Sequence, residues 1–291
     1  MGARTIRLPG LDGVTLAADA YGDPSARPVL FAHGGGQTRH SWARTCASLA
    51  DRGWYTVTVD LRGHGDSDWS PDGIYGLDRF AGDLHVASQS LGDRVALVGA
   101  SLGGLASLVA VAEMTPSVAT MVVLVDIAPK AEIEGVRRIG TFMRDGLGGF
   151  DTLEDVADAI AAYNPHRPRS KDLNGLKKNV RQRDDGRWYW HWDPKFMRPA
   201  EDVANAERGY TQQVRLEEAA RRVTIPTLLI RGGSSDVVSE EGARHMLSLV
   251  PHAEWVDVAG AGHMVTGDRN DAFNDAVVSF LERTASQIEA S

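Results

Sequence analysis

Ser101 stands in Gly99-Ala100-Ser101-Leu102-Gly103-Gly104, where an apolar run, Arg94–Ala100, gives way to a helical pattern over 101–114. A serine hydroxyl is a weak nucleophile that needs a neighbouring base and donors for the negative charge its attack creates. Small residues two before and two after such a serine let a helix pack against a strand while the serine occupies strained backbone with its Oγ exposed. The serine would also open a helix, whose N-terminal dipole favours developing negative charge. The plainer reading is a tight strand-to-helix turn that happens to contain serine.

A base is available. Among nine histidines, His263 lies in Gly260-Ala261-Gly262-His263-Met264-Val265, a glycine-rich loop after the strand-like run Ala253–Val258. Ligand sites of α/β sheets gather at the carboxyl ends of strands, although a solvent-exposed loop is the commoner fate of a histidine. His245 and His252 read as surface residues of a helix and the turn after it, and His64 and His85 have no nucleophile in recognisable reach. Two aspartates satisfy the order serine, acid, histidine. Asp126 ends the run Met121–Asp126, and Asp236 follows the run Thr227–Arg231 in Gly232-Gly233-Ser234-Ser235-Asp236. Either could instead bond the N–H groups of its own loop. A further glycine cluster, His33-Gly34-Gly35-Gly36, follows the apolar run Val29–His33, and glycines there let backbone N–H groups approach a ligand closely.

These residues need a frame to hold them. Eight candidate strands, Arg4–Leu8, Val14–Ala20, Val29–His33, Tyr55–Asp60, Arg94–Ala100, Met121–Asp126, Thr227–Arg231 and Ala253–Val258, alternate with helical patterns near 41–52, 77–91, 101–114, 240–250 and 271–286. That alternation predicts a mostly parallel eight-stranded α/β sheet with helices on both faces. The later runs are short and almost wholly apolar, as strands covered on both faces are. The first two, split by Pro9-Gly10-Leu11-Asp12-Gly13, predict a hairpin at one edge.

Between Pro129 and Thr224 no convincing strand appears, only helical patterns, among them 151–163, where Asp151 can cap and Leu153, Val156 and Ile160 share a face. Residues 130–222 carry 18 basic against 16 acidic side chains, or +2, and the rest carries 13 against 23, or −10. The segment reads as a helical cap domain set into a core made of 1–129 and 223–291. Three of the seven tryptophans fall within Trp188-Tyr189-Trp190-His191-Trp192, fit either to line an apolar pocket or to glue the cap to its core. The cap's charge makes Arg137, Arg138 and Arg181 candidates for a substrate carboxylate, against the alternative of solvated faces and cap–core ion pairs.

Composition bounds the rest. A chain of 291 residues with a net charge of −8 makes a poor phosphate-backbone binder, so no nucleic-acid partner is expected. One cysteine, Cys46, excludes an internal disulfide and a cysteine-rich metal site. No apolar run reaches the ~18 residues of a membrane span. The N-terminal MGARTIRLPGLDG lacks the apolar core of a secretory signal, and a cytoplasmic location is expected. No HExxH, GxGxxG or GxxxxGK[ST] pattern is present, so neither a metal nor a nucleotide cofactor is expected.

Taken in order, HGGG at 33–36, VDLRGHGDSD at 59–68, GASLGG at 99–104, LVDIAP at 124–129, RGGSSDVV at 231–238 and GAGHMV at 260–265 resemble an α/β-hydrolase of the cap-bearing branch that holds epoxide-hydrolase-like and haloperoxidase-like enzymes. The resemblance covers both halves of the core; the cap matches only in position and helical character. It implies a serine hydrolase with Ser101 as nucleophile, His263 as base, Asp236 preferred over Asp126 as acid, and an oxyanion hole from the N–H groups of Leu102 and Gly35, with Gly36 second. His33 is expected to order the oxyanion loop by hydrogen bonding. Dehalogenases and epoxide hydrolases of this branch carry aspartate where this chain has Ser101, which leaves a small-molecule carboxylic ester as the expected substrate. The same layout serves a cofactor-free perhydrolase or haloperoxidase, a lactonase or a carbon–carbon bond hydrolase. A non-catalytic binding protein of the same fold is the alternative from another class.

Overall fold

The computed structural model describes residues 2–117, 119–165, 169–197, 202–263 and 271–290. Its main sheet has eight strands: β1 (Arg4–Pro9), β2 (Thr15–Tyr21), β3 (Pro28–Ala32), β4 (Tyr55–Val59), β5 (Val95–Ala100), β6 (Ala119–Val125), β9 (Thr227–Gly232) and β10 (Glu254–Val258). They lie in the order β1-β2-β4-β3-β5-β6-β9-β10. β1 and β2 form the expected antiparallel edge hairpin, β2 runs antiparallel to β4, and the remaining pairs are parallel.

Alternation along the central strands explains the two apolar layers. Leu30, Val57, Leu97, Val122 and Leu229 project to one face, where α2 (Leu77–Leu91), α3 (Leu102–Glu113) and α8 (Glu240–Leu249) cover them. Val29, Phe31, Val98, Val123 and Ile230 project to the other, under α1 (Ala43–Ala50) and α9 (Asp271–Glu289). With helices on both sides, every residue of β3, β4, β5 and β9 is buried. Each fully buried aliphatic side chain contributes about 1.5–3 kcal/mol relative to exposure.

The connection after β3 leads to β4 on one side, and the chain then returns to place β5 on the other. Such a reversal opens a crevice at the carboxyl ends of the two central strands. His33-Gly34-Gly35-Gly36 follows β3 and Ser101 follows β5, so both motifs open into that crevice.

The segment between β6 and β9 holds α4 (Ile133–Asp145), α5 (Leu153–Tyr163), the short α6 (Leu173–Leu176) and α7 (Asp202–Arg222). It also holds a hairpin, β7 (Val180–Gln182) with β8 (Trp188–Trp190), which corrects the expectation of a wholly helical insert. Aromatic residues suit a pleated strand, and Gly186 turns the chain back at φ 79°. Met143, Val156, Leu176, Val180, Trp190 and Trp192 form a third apolar cluster belonging to this segment. The last turns of α7 are different: Leu216, Ala219 and Ala220 join the layer over the sheet although they fall inside 130–222. Among the described residues no helix is long and apolar enough to cross a membrane.

Candidate active site

Ser101 sits at the junction of β5 and α3 with φ 47° and ψ −117°. The turn is as tight as the glycines suggested. A Cβ on Gly99 would lie 2.3 Å from the Gly103 carbonyl oxygen, and one on Gly103 would lie 2.4 Å from that of Ala32. Among the described residues only three non-glycines have positive φ, and Asp126, at 50°, is another of them. Backbone held in such sparsely populated conformations costs about 1–3 kcal/mol per residue and gathers at functional sites.

The three side chains are connected. The Ser101 hydroxyl lies 3.1 Å from His263 Nε2, and His263 Nδ1 lies 2.6 Å from Asp126 Oδ2. The Asp126 side chain is 1% exposed and that of His263 7%. A buried carboxylate requires donors, and Asp126 has them: the Gly232 N–H at 2.8 Å on Oδ1 and the Ser235 hydroxyl at 2.6 Å on Oδ2. This corrects the preference for Asp236. That residue forms an ion pair with Arg138 at 2.7 Å instead, its side chain 37% exposed. The RGGSSD loop thus contributes donors to the acid that meets His263 and not the acid itself. The reason is positional: Asp126 directly follows β6, the strand beside β5, and is the next carboxylate across the sheet from Ser101.

The glycine loop after β3 is equally specific. Among the described residues no protein acceptor takes the N–H of Gly35 or Leu102, and the two residues are neighbours across the crevice. The Gly36 N–H, the second candidate donor, is given to His64 Nε2 at 3.2 Å, which removes it from that role. His33 orders the loop as expected: Nδ1–H donates to the Gly34 carbonyl at 2.8 Å while Nε2 accepts the Leu61 N–H at 3.0 Å. Burial pushes the His33 imidazole down to about 4 and that of His64 to about 3. Each therefore stays neutral, with one nitrogen donating and the other accepting.

A cavity of about 590 Å³ opens above Ser101 and His263, with walls from the core and from the insert. The insert contributes apolar surface, including Ile139, Phe142, Met143, Trp190 and Trp192. Trp190 and Trp192 stack at 4.9 Å and belong to the insert's own apolar cluster, so they both line the pocket and hold the insert together. Polar atoms come from Gln37, His40, Lys178 and Asn179. The three arginines considered for a substrate carboxylate are engaged elsewhere: Arg137 with Glu134, Arg138 with Asp236, and Arg181 with Asp66 of the core. They form the ion pairs of the alternative reading, one within the insert and two across to the core. Three groups escaped sequence reasoning, namely Ser235, His64 and His191. The signals were present, since each lies in a motif or aromatic run that had been singled out for another reason.

A family model for the alpha/beta hydrolase fold matches residues 27–269. The chain belongs to the α/β-hydrolase family. It is 29% identical to an esterase of Mycobacterium tuberculosis over 265 residues, covering 89% of this chain and 84% of that one. It is 28% identical to a non-heme chloroperoxidase of Kitasatospora aureofaciens, covering 94% and 98% respectively. The crystal structure of an E-2-(acetamidomethylene)succinate hydrolase superposes with a TM-score of 0.82 at 26% identity, covering 97% of this chain and 100% of that one.

Proposed function

We propose that the protein is a serine hydrolase that cleaves a small to medium, partly apolar carboxylic ester through an acyl-enzyme. The observation that carries this reading is the hydrogen-bonded chain from Ser101 through His263 to Asp126, at 3.1 and 2.6 Å. Ser101 Oγ attacks the ester carbonyl as His263 Nε2 takes its proton. Asp126 holds Nδ1–H and so fixes the tautomer that leaves Nε2 free to accept, and it offsets the imidazolium charge. The N–H groups of Gly35 and Leu102 receive the oxyanion. His263 then protonates the departing alcohol, and water, activated by the same histidine, releases the acid. Esterase and hydrolase relatives support the reaction class. The apolar walls around Phe142 and Trp190 suit an acyl or alkyl chain.

A fluorophosphonate probe should label Ser101 of the native protein and leave the S101A variant unlabelled. Unlabelled native protein should then hydrolyse members of a panel of esters faster than lactones or diketones, and faster than it converts carboxylic acids to peracids with peroxide supplied. Absence of label on folded protein would instead favour the binding-protein alternative, and a diketone preference the carbon–carbon hydrolase.

A further inference from the structure

Among the described residues, His191 is the polar side chain by which the insert meets the glycine loop Gly34-Gly35-Gly36. His191 follows β8, and its ring lies beside that of His64 at 5.8 Å, with His33 a further 5.2 Å from His64. His191 Nδ1 accepts the Gly65 N–H at 2.7 Å, and Nε2 lies 3.3 Å from the Gly36 carbonyl. Because Nδ1 accepts from a backbone N–H, the ring proton must reside on Nε2, which donates to Gly36. An imidazolium could not accept from Gly65. Asp193, two residues on, donates its N–H to the Gly63 carbonyl at 2.8 Å and accepts the Tyr75 hydroxyl at 2.6 Å. The VDLRGHGDSD loop thus forms the seat on which this part of the insert is fastened.

Three successive peptide units of the glycine loop are each held by one imidazole. His33 holds the carbonyl of the Gly34–Gly35 unit, whose N–H is the Gly35 donor; His64 holds the N–H of the Gly35–Gly36 unit; His191 holds the carbonyl of the unit after Gly36. Consecutive glycines have no Cβ to restrict them, so their orientation must be imposed from outside. Two clamps come from the core and the third from the insert.

We propose that His191 is a positioning residue for the oxyanion hole, through which the seating of the insert sets the geometry of the Gly35 donor. The inference rests on the serine-hydrolase reading. Oxyanion donors act only at short, fixed distances, and loss of one costs on the order of 10²–10³ in kcat.

The two nitrogens can be tested separately. In H191Q the side-chain amide can place a donor near the Nε2 position; in H191N it can place an acceptor near the Nδ1 position but cannot reach Gly36. With an activated ester, H191N should lose about 10- to 100-fold in kcat with KM within about threefold, and bind a boronate analogue correspondingly less tightly. H191Q should remain within about fivefold of wild type. R181Q, which breaks a different insert-to-core contact, the ion pair with Asp66, should keep its kcat. Equal losses in H191N and H191Q, or a loss in R181Q matching H191N, would overturn the inference. Wild-type protein that turns over no ester would overturn the hydrolase reading and this inference together. Should H191N not fold, nitrogen-15 spectra of wild-type imidazoles decide: a neutral Nε2–H tautomer for His191 near pH 6.5 supports the proposal, and an Nδ1–H tautomer or an imidazolium refutes it.

Discussion

The core wall and the insert wall of the cavity are built in different ways. On the core side, Ser101, Asp126 and the glycine loop sit at the ends of adjacent buried strands, their positions imposed by the sheet and by strained backbone. On the insert side, a small aromatic cluster carries its own core and is fastened through a few polar contacts at His191, Asp193 and Arg181. The difference separates chemistry from shape. Atoms that must meet within about 0.5 Å are placed on the rigid sheet, whereas the surface that selects a substrate is placed on a segment that can vary without disturbing them.

If that division holds, substitutions on the core wall should abolish turnover and those on the insert wall should redirect it. The largest effect belongs to Ser101→Ala, which should leave the melting temperature near wild type and reduce ester turnover by at least about 10³-fold, since members of such a unit act together. A folded variant retaining a tenth of normal turnover would remove the serine from its role.

The next effect is on stability. Arg62, within the seat of the insert, makes a two-pronged bond to Asp83 of α2, both contacts 2.6 Å and both side chains buried. Arg62→Met would leave that carboxylate buried and unpaired, which costs about 3–5 kcal/mol. Denaturant unfolding should show a loss of this size, and a loss below about 1 kcal/mol would mean the seat is not held by this pair.

Acidity offers a reversible way to loosen the same region. Burial lowers the folded-state values of His33, His64 and His191. Above about pH 6.5 unfolded-chain histidines are neutral as well, and the full stability is present. As pH falls below that value the unfolded chain binds protons that these three refuse, so stability is lost towards about 4, the folded value of His33. Each contributes a slope of up to about 1.4 kcal/mol per pH unit. The melting temperature should drop between pH 7 and 5, where most carboxylates stay ionised; a flat profile would contradict buried neutral rings.

The smallest effect tests the insert wall. Phe142 lines the cavity and stacks on Tyr163 at 4.3 Å. Phe142→Ala should keep kcat for an acetate ester and shift kcat/KM towards longer acyl chains by roughly tenfold, the scale of about 1–3 kcal/mol for a methylene in an apolar pocket. An unchanged chain-length profile would show that the acyl group lies elsewhere.

The same division explains what could be read from the sequence. All eight strands are legible to within a residue or two: the central ones, buried on both faces, as short apolar runs, and the more exposed β1 and β10 from their place in the alternation with turns and helices; with them come the loops bearing Ser101 and His263. The acid could not be chosen by chain order, because Asp126 and Asp236 both satisfy it. The discriminating signal was physical: an aspartate closing a wholly apolar strand must be buried, and a buried carboxylate is kept only with partners. The β7–β8 hairpin is hidden in an aromatic run that fits pocket lining or cap–core packing equally well, although Trp and Tyr also favour strands and Asp184-Asp185-Gly186 marks a turn. His191 had no motif of its own, since its partners are backbone groups of loops 126 and 155 residues away in sequence.

Asp126 carries the central claim, since it ties the sheet to the histidine proposed to activate Ser101. The direct test compares Asp126→Asn and Asp236→Asn on one activated ester at one pH. Asn at position 126 keeps the shape but presents an amide to His263 Nδ1, and kcat should fall on the order of 10⁴. Asn at 236 loses only a half-exposed ion pair with Arg138, worth about 0–1 kcal/mol, and should stay within about threefold of wild type. A dead Asp236 variant beside a nearly normal Asp126 variant would contradict the account.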